Sequence, residues 1–126
     1  MSPLVTVVLP VRNGGRYLGA AVDSILTQTH RNLELLLIDD HSSDAAIDSL
    51  GTGDCRLKII PSQGDGLVDA CNTGFELAQG EFIARMDADD VSLPGRFQHQ
   101  LAYFDRYPQV DICGCCVEIF SEQGLQ

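Results

Sequence analysis

Val5-Thr6-Val7-Val8-Leu9-Pro10 is an almost unbroken run of apolar and β-branched residues, the pattern of a strand buried on both faces. Pro10 is read as its stop. Over residues 16–29 the period changes, and Leu18, Ala21, Val22, Ile25 and Leu26 fall on one helical face. Residues 33–38 form a second buried strand, Leu-Glu-Leu-Leu-Leu-Ile, broken by Asp39-Asp40. Ser42, Ser43 and Asp44 are N-cap types that introduce a short helix through Leu50. A third strand spans residues 57–60 and ends at Pro61. After the loop Gly64-Asp65-Gly66 comes a helix over residues 67–78, with Gly80 as its C-cap type. Residues 81–86 are a fourth strand. Pro94 opens a helix to about Tyr107, and residues 111–120 are expected to form a last strand.

Alternating buried strands and helices predict an α/β fold with a mainly parallel sheet flanked by helices, joined by right-handed crossovers. Ligands in such folds sit beyond the carboxyl ends of the strands. Residues 10–15, 39–44 and 87–90 are therefore the loops where chemistry is expected.

Composition narrows the classes. The 126 residues, 44% hydrophobic and 21% charged, suit one globular domain. No apolar run approaches the roughly 20 residues of a membrane-spanning helix. Met1-Ser2-Pro3 lacks a secretion signal, so a cytoplasmic protein is expected. Eight Lys+Arg against eighteen Asp+Glu give a formal net charge of -10. That balance argues against nucleic acid and against an anionic membrane surface. A phosphate ligand would need a helix N-terminus, an arginine or a divalent cation. Cys113, Cys115 and Cys116 lack the paired spacing of structural zinc ligands, and they are expected to be buried, reduced thiols.

Asp87-Ala88-Asp89-Asp90, directly after a strand, places three carboxylates within four residues. A hard cation, Mg²⁺ or Mn²⁺, would relieve their repulsion; a solvated acidic turn that caps the next helix is the competing account. Asp40 suits an N–H donor such as the imide of uracil, because an ionised carboxylate only accepts hydrogen bonds. Helix capping is its alternative, and it explains Ser43 and Asp44 better than Asp39-Asp40. In Pro10-Val11-Arg12-Asn13-Gly14-Gly15, Asn13 and the glycines tolerate positive φ, and Arg12 could stack on a base or meet a phosphate. Taken alone, that stretch reads as an ordinary strand-to-helix turn. Neither Gly-x-Gly-x-x-Gly after a strand nor Gly-x-x-x-x-Gly-Lys occurs.

Taken in order, residues 6–13, Ser24 to Thr29, residues 34–44, residues 72–90 and Pro94-Gly95-Arg96-Phe97 resemble family 2 glycosyltransferases of the GT-A fold. The resemblance implies a GT-A, Rossmann-like domain, truncated here, with residues 1–126 as its nucleotide-sugar-binding part. It implies that Pro10, Val11, Arg12 and Asn13 border the base, although many relatives carry an aromatic residue where this chain has Arg12. It implies that Asp40 accepts from the uracil imide, that Gly66 lies near the nucleotide, and that Asp87, Ala88 and Asp89 form the Asp-x-Asp. Asp89 is then the principal metal ligand, with Asp87 nearer the ribose, and Mg²⁺ or Mn²⁺ is the cofactor.

The implied reaction is inverting transfer from a nucleoside-diphosphate sugar, UDP- or dTDP-linked, to a hydroxyl of a saccharide or lipid-linked acceptor in cell-envelope polysaccharide synthesis. The general base is expected downstream of Gln126, so the chain alone should bind donor without transferring it. Homodimerisation through an uncovered apolar face, and attachment to the inner face of the membrane through further segments, are further expectations. One rival is a non-catalytic nucleotide-binding or interaction module. The other is a phospho-accepting receiver domain, which expects its acidic pair after the first strand and a lysine after the last. Here the pair follows the second strand and the lysine is Lys58.

Overall fold

The computed structural model describes residues 2–125; Met1 and Gln126, the ends of the expected domain, lie outside the described residues. The main sheet holds β1 (Val5–Val11), β2 (Leu33–Asp39), β3 (Leu57–Pro61) and β4 (Phe82–Arg85). All four are parallel, in the order β3-β2-β1-β4. The chain thus builds outward from β1 through β2 to β3, then returns to place β4 on the other side of β1. That reversal creates a switch point between β1 and β4, where the loops diverge and leave a crevice.

Strand alternation divides the core. Val5, Val7, Leu9 and Val11 of β1, with Leu33, Leu35 and Leu37 of β2, pack against α1 (Leu18–Leu26). Phe97 and Leu101 of α3 (Arg96–Arg106) join the same cluster. Val8, Leu36 and Ile38 face Ala70 of α2 (Gly66–Leu77) on the opposite side. The register Val5↔Leu33 through Val11↔Asp39 keeps both apolar sets aligned, since a one-residue slip would turn every side chain to the wrong face.

Under α2 the sheet carries a polar knot. Buried Glu34 accepts from Thr6 Oγ1 at 2.6 Å, the Gln79 N–H at 2.8 Å and Lys58 Nζ at 3.2 Å. Burial pushes its carboxyl up, but these donors more than offset that and hold it below the usual glutamate range.

Several expectations need correction. Pro10 does not stop β1 but lies inside it. Val8 points its carbonyl at Met86 of the β4 side, so Pro10, two residues on, also faces that side, beyond the last β1–β4 pair Val8↔Arg85. Its missing N–H therefore breaks no ladder bond. The helix after Asp44 is only a turn, closed by the Ser49 N–H on the Ala45 carbonyl at 3.0 Å. There the Asn13 and Asp44 side chains take the N–H groups of Ser43, Asp44 and Ala46.

Gly80 is not a C-cap, for α2 ends in extended backbone at Ala78. Glycine is required because a Cβ there would stand 2.6 Å from the Thr6 nitrogen. Pro94 precedes α3 by one turn rather than opening it. Residues 111–119 form no strand, and only the two-residue β5 (Phe120–Ser121) and β6 (Gly124–Leu125) pair antiparallel. No strand among the described residues pairs with 111–119, and β-rich composition without a partner does not make a strand. The thiols there are not buried either: Cys115 and Cys116 are exposed and Cys113 is half-buried, whereas Cys71 on α2 is buried.

Candidate functional site

The loops after β1, β2 and β3 are laced together at the carboxyl edge of the sheet. Asn13 sits at φ 54°, a conformation asparagine tolerates better than most residues. Its N–H donates to Ser42 Oγ at 3.0 Å, and its side-chain oxygen accepts from the Ser43 N–H at 2.7 Å and the Asp44 N–H at 3.1 Å. Asp39 Oδ1 accepts from the Ser42 N–H at 2.9 Å, closing the turn that follows β2. His41, at φ 58°, reaches the loop before α2. Its Nε2 lies 3.1 Å from the Gly64 carbonyl oxygen and 2.9 Å from Asp65 Oδ1, so it must carry the proton to satisfy either acceptor.

Asp40 occupies the centre of this lacework. It is 5% exposed, and its own N–H is held by the Val11 carbonyl at 2.8 Å. Its Oδ1 accepts from the Gly66 N–H, the first residue of α2, at 3.1 Å. The carboxylate thus complements a helix N-terminus, and among the described residues its second oxygen accepts no hydrogen bond. Gly66 has φ 88°, so the turn into α2 needs glycine. Asp40, Gly66, Pro10, Val11, Arg12, Leu67 and Ala70 line one cavity of about 320 Å³. That is the lower end of small-ligand pocket sizes, with apolar walls and few polar groups. Five of the residues singled out in the sequence, Pro10, Val11, Arg12, Asp40 and Gly66, meet here.

Across β1, the loop after β4 carries the acidic triad. Half-buried Ala88 packs against the apolar core, while Asp87, Asp89 and Asp90 are exposed. Their carboxylate oxygens lie within 4.8 Å of one another. Desolvation, then repulsion from Asp89 and Asp87, pushes the Asp90 carboxyl up. Three hard oxygen donors at this separation fit Mg²⁺ or Mn²⁺. β2 and β4 flank β1, so Asp40 and the triad stand about two strand spacings apart, roughly 10 Å.

Sequence reasoning missed what holds that loop. Gln28, fully buried at the end of α1, donates from Nε2 to the Leu93 carbonyl at 2.7 Å and the Ser24 carbonyl at 3.1 Å. Its Oε1 accepts from the Phe97 N–H at 3.2 Å. Arg96 donates to Ser92 Oγ at 3.0 Å and to the Arg85 carbonyl at 3.3 Å, joining the two ends of the acidic loop. Arg85 reaches Asp87 Oδ1 at 2.8 Å. Strand alternation, which puts residues 85 and 87 on one side, could have revealed that last pair.

A larger cavity, about 660 Å³, lies between β4 and α3 and is lined in part by Phe82, Phe97, Phe104 and Ile112. It touches neither Asp40 nor the triad. Among the described residues, no helix is long and apolar enough to cross a membrane.

A profile described as "Glycosyl transferase family 2" matches residues 6–126. An uncharacterized glycosyltransferase of Haemophilus influenzae is 31% identical over 125 residues, covering 96% of this chain and 39% of the relative. Glycosyltransferase GlyG of Streptococcus pneumoniae is 38% identical over 95 residues, covering 72% of this chain and 32% of the relative. The chain therefore spans well under half the length of these relatives. Among solved structures, S. aureus TarS 1-349 in complex with UDP-GlcNAc superposes with TM-score 0.75 at 21% identity, over 94% of this chain and 38% of that one. Mannosyltransferase PcManGT from Pyrobaculum calidifontis, in complex with GDP-Man and Mn²⁺, gives TM-score 0.73 at 23% identity, over 82% of this chain and 33% of that one. These superpositions place the sheet and its helices among GT-A, Rossmann-like folds.

Proposed function

The chain belongs to glycosyl transferase family 2, and on that premise we propose that residues 1–126 form the nucleotide-sugar-binding part of a transferase domain. One observation carries the reading: a small apolar pocket around Asp40 and a carboxylate triad flank the same strand at the sheet's switch point. A ligand with a flat, hydrogen-bonding end and an anionic end suits that arrangement. Nucleotide-sugar complexes of the two structural neighbours support it.

In this proposal the base of a UDP- or dTDP-linked sugar enters between Pro10, Val11 and Leu67. The free oxygen of Asp40 accepts the imide N–H, and Arg12 covers the base or reaches a phosphate. Asn13 holds the loop that carries Arg12, and Gly66 lets the backbone approach the ligand closely. Asp87 and Asp89 hold a divalent cation, with Ala88 anchoring the loop between them. When bound, that ion neutralises charge on the departing nucleoside diphosphate. A hydroxyl of a saccharide or lipid-linked acceptor attacks the anomeric carbon from the opposite face, inverting it, with a base supplied from outside these residues. Glycosyl transfer on the cytoplasmic side of the cell envelope is the proposed setting.

The test is calorimetric titration with UDP, dTDP, GDP and CDP, each with Mn²⁺ and with EDTA. UDP and dTDP are expected to bind with Mn²⁺ and to lose most of that affinity in EDTA. Equal affinity for all four nucleotides, or indifference to the metal, would refute the assignment.

A further inference from the structure

Arg85 stands at the end of β4 with its guanidinium shared between two very different partners. Its Nη2 donates to Asp87 Oδ1 at 2.8 Å, and its Nε meets Cys71 Sγ at 3.5 Å. The Cys71 sulfur is a weak acceptor. It steadies the inner edge of the fork, while the outer edge covers one of the triad's carboxylates. The Arg85 side chain is 42% exposed and Asp87 is 50% exposed, so this ion pair is weak and readily exchanged.

Arg96, whose charge with that of Arg85 partly offsets the upward push on Asp90, is committed elsewhere. Its Nη1, Nη2 and Nε donate to Ser92 Oγ, the Arg85 carbonyl and Gln100 Oε1. In a chain with net charge -10 and one lysine, Arg85 is the positive group beside the triad whose outer donors are held only by a surface carboxylate.

We propose that Arg85 is the internal counter-ion of the triad: an arriving divalent cation displaces it from Asp87, and the freed guanidinium then pairs with the diphosphate of the donor. This rests on the donor-site reading above. An always-charged, planar fork suits that second task, because it meets phosphate oxygens in a bidentate manner. The arrangement makes Arg85 a competitor of the metal alone and a partner of the metal with nucleotide. A purely structural side chain cannot have opposite effects on those two equilibria.

The experiment measures MnCl₂ binding by the loss of the free Mn²⁺ resonance, and UDP binding at saturating MnCl₂ by calorimetry. Wild type, Arg85→Met and Arg85→Gln are compared, with circular dichroism to confirm folding. Both neutral variants are expected to bind Mn²⁺ alone about fivefold more tightly, and UDP with Mn²⁺ about fivefold more weakly. Arg85→Lys keeps the charge but loses the fork, and should bind UDP with Mn²⁺ more tightly than the neutral variants and more weakly than wild type. Neutral variants that weaken both equilibria, or that leave UDP binding unchanged, overturn the proposal while the donor site stands. Absence of Mn²⁺-dependent UDP binding in the wild type overturns both.

Discussion

Replacing Gln28 with leucine isolates the clamp on the acidic loop. Leucine fills much the same space but can neither donate nor accept. Gln28 is 0% exposed, so water cannot take over its role. The Phe97 N–H, at a residue 2% exposed, loses its acceptor, and the Leu93 and Ser24 carbonyls lose their donor. Each orphaned buried group costs about 1–3 kcal/mol. Leu93 is 71% exposed, so its carbonyl is the one most open to rescue by solvent. The added apolar surface returns about 1 kcal/mol. With the Leu93 carbonyl rescued, the other two groups cost about 2–6 kcal/mol, so the net loss is about 1–5 kcal/mol, or roughly 4–20 °C in Tm for a domain of this size.

Urea unfolding followed by circular dichroism measures it, with the slope m expected to stay constant. Mn²⁺-dependent UDP affinity, read well below the variant's Tm, should also fall, because Ser92 to Phe97 no longer anchor the triad. A loss below about 1 kcal/mol, or full nucleotide affinity in a destabilised variant, would refute the clamp.

Two further outcomes test the rest of the site. Asp40→Ala should reduce the preference for UDP over CDP in competition titrations, since cytosine has no imide N–H to offer, and should cost about 1 kcal/mol of stability through the lost cap on Gly66; an unchanged UDP/CDP ratio makes Asp40 a capping residue only. Glu34 has a depressed carboxyl, so the stability from its knot is fully present above the ordinary glutamate range and is lost as pH falls through the depressed value. The acid limb of a pH–stability profile should flatten in Glu34→Gln, and an identical limb would show that the knot does not titrate.

The two central strands, β1 and β2, were legible in the sequence because they are buried on both faces, and continuous apolar runs such as 33–38 have few other readings. Boundaries failed where side chains competed with the backbone, as Asn13 and Asp44 do for the turn after β2. Residues 111–120 misled because β-rich composition cannot report whether a partner strand is at hand. Asp40 and the triad were visible through their place after strands. Gln28 and Arg96 were not, since their roles lie in contacts with Leu93, Phe97, Ser92 and the Arg85 carbonyl that no periodicity encodes. His41 escaped for the same reason: its link to Gly64 and Asp65 exists only once two loops meet.

The proposal that the triad holds a cation for a nucleoside diphosphate is tested most directly by titrating UDP into wild type and Asp89→Asn, each with Mn²⁺ and with EDTA. The substitution keeps the size of an exposed side chain and removes the charge that would hold the ion. The account predicts that Asp89→Asn in Mn²⁺ weakens UDP binding at least about tenfold, or 1.4 kcal/mol, and that wild type in EDTA falls to the same level. Equal UDP affinity in all four titrations would contradict it.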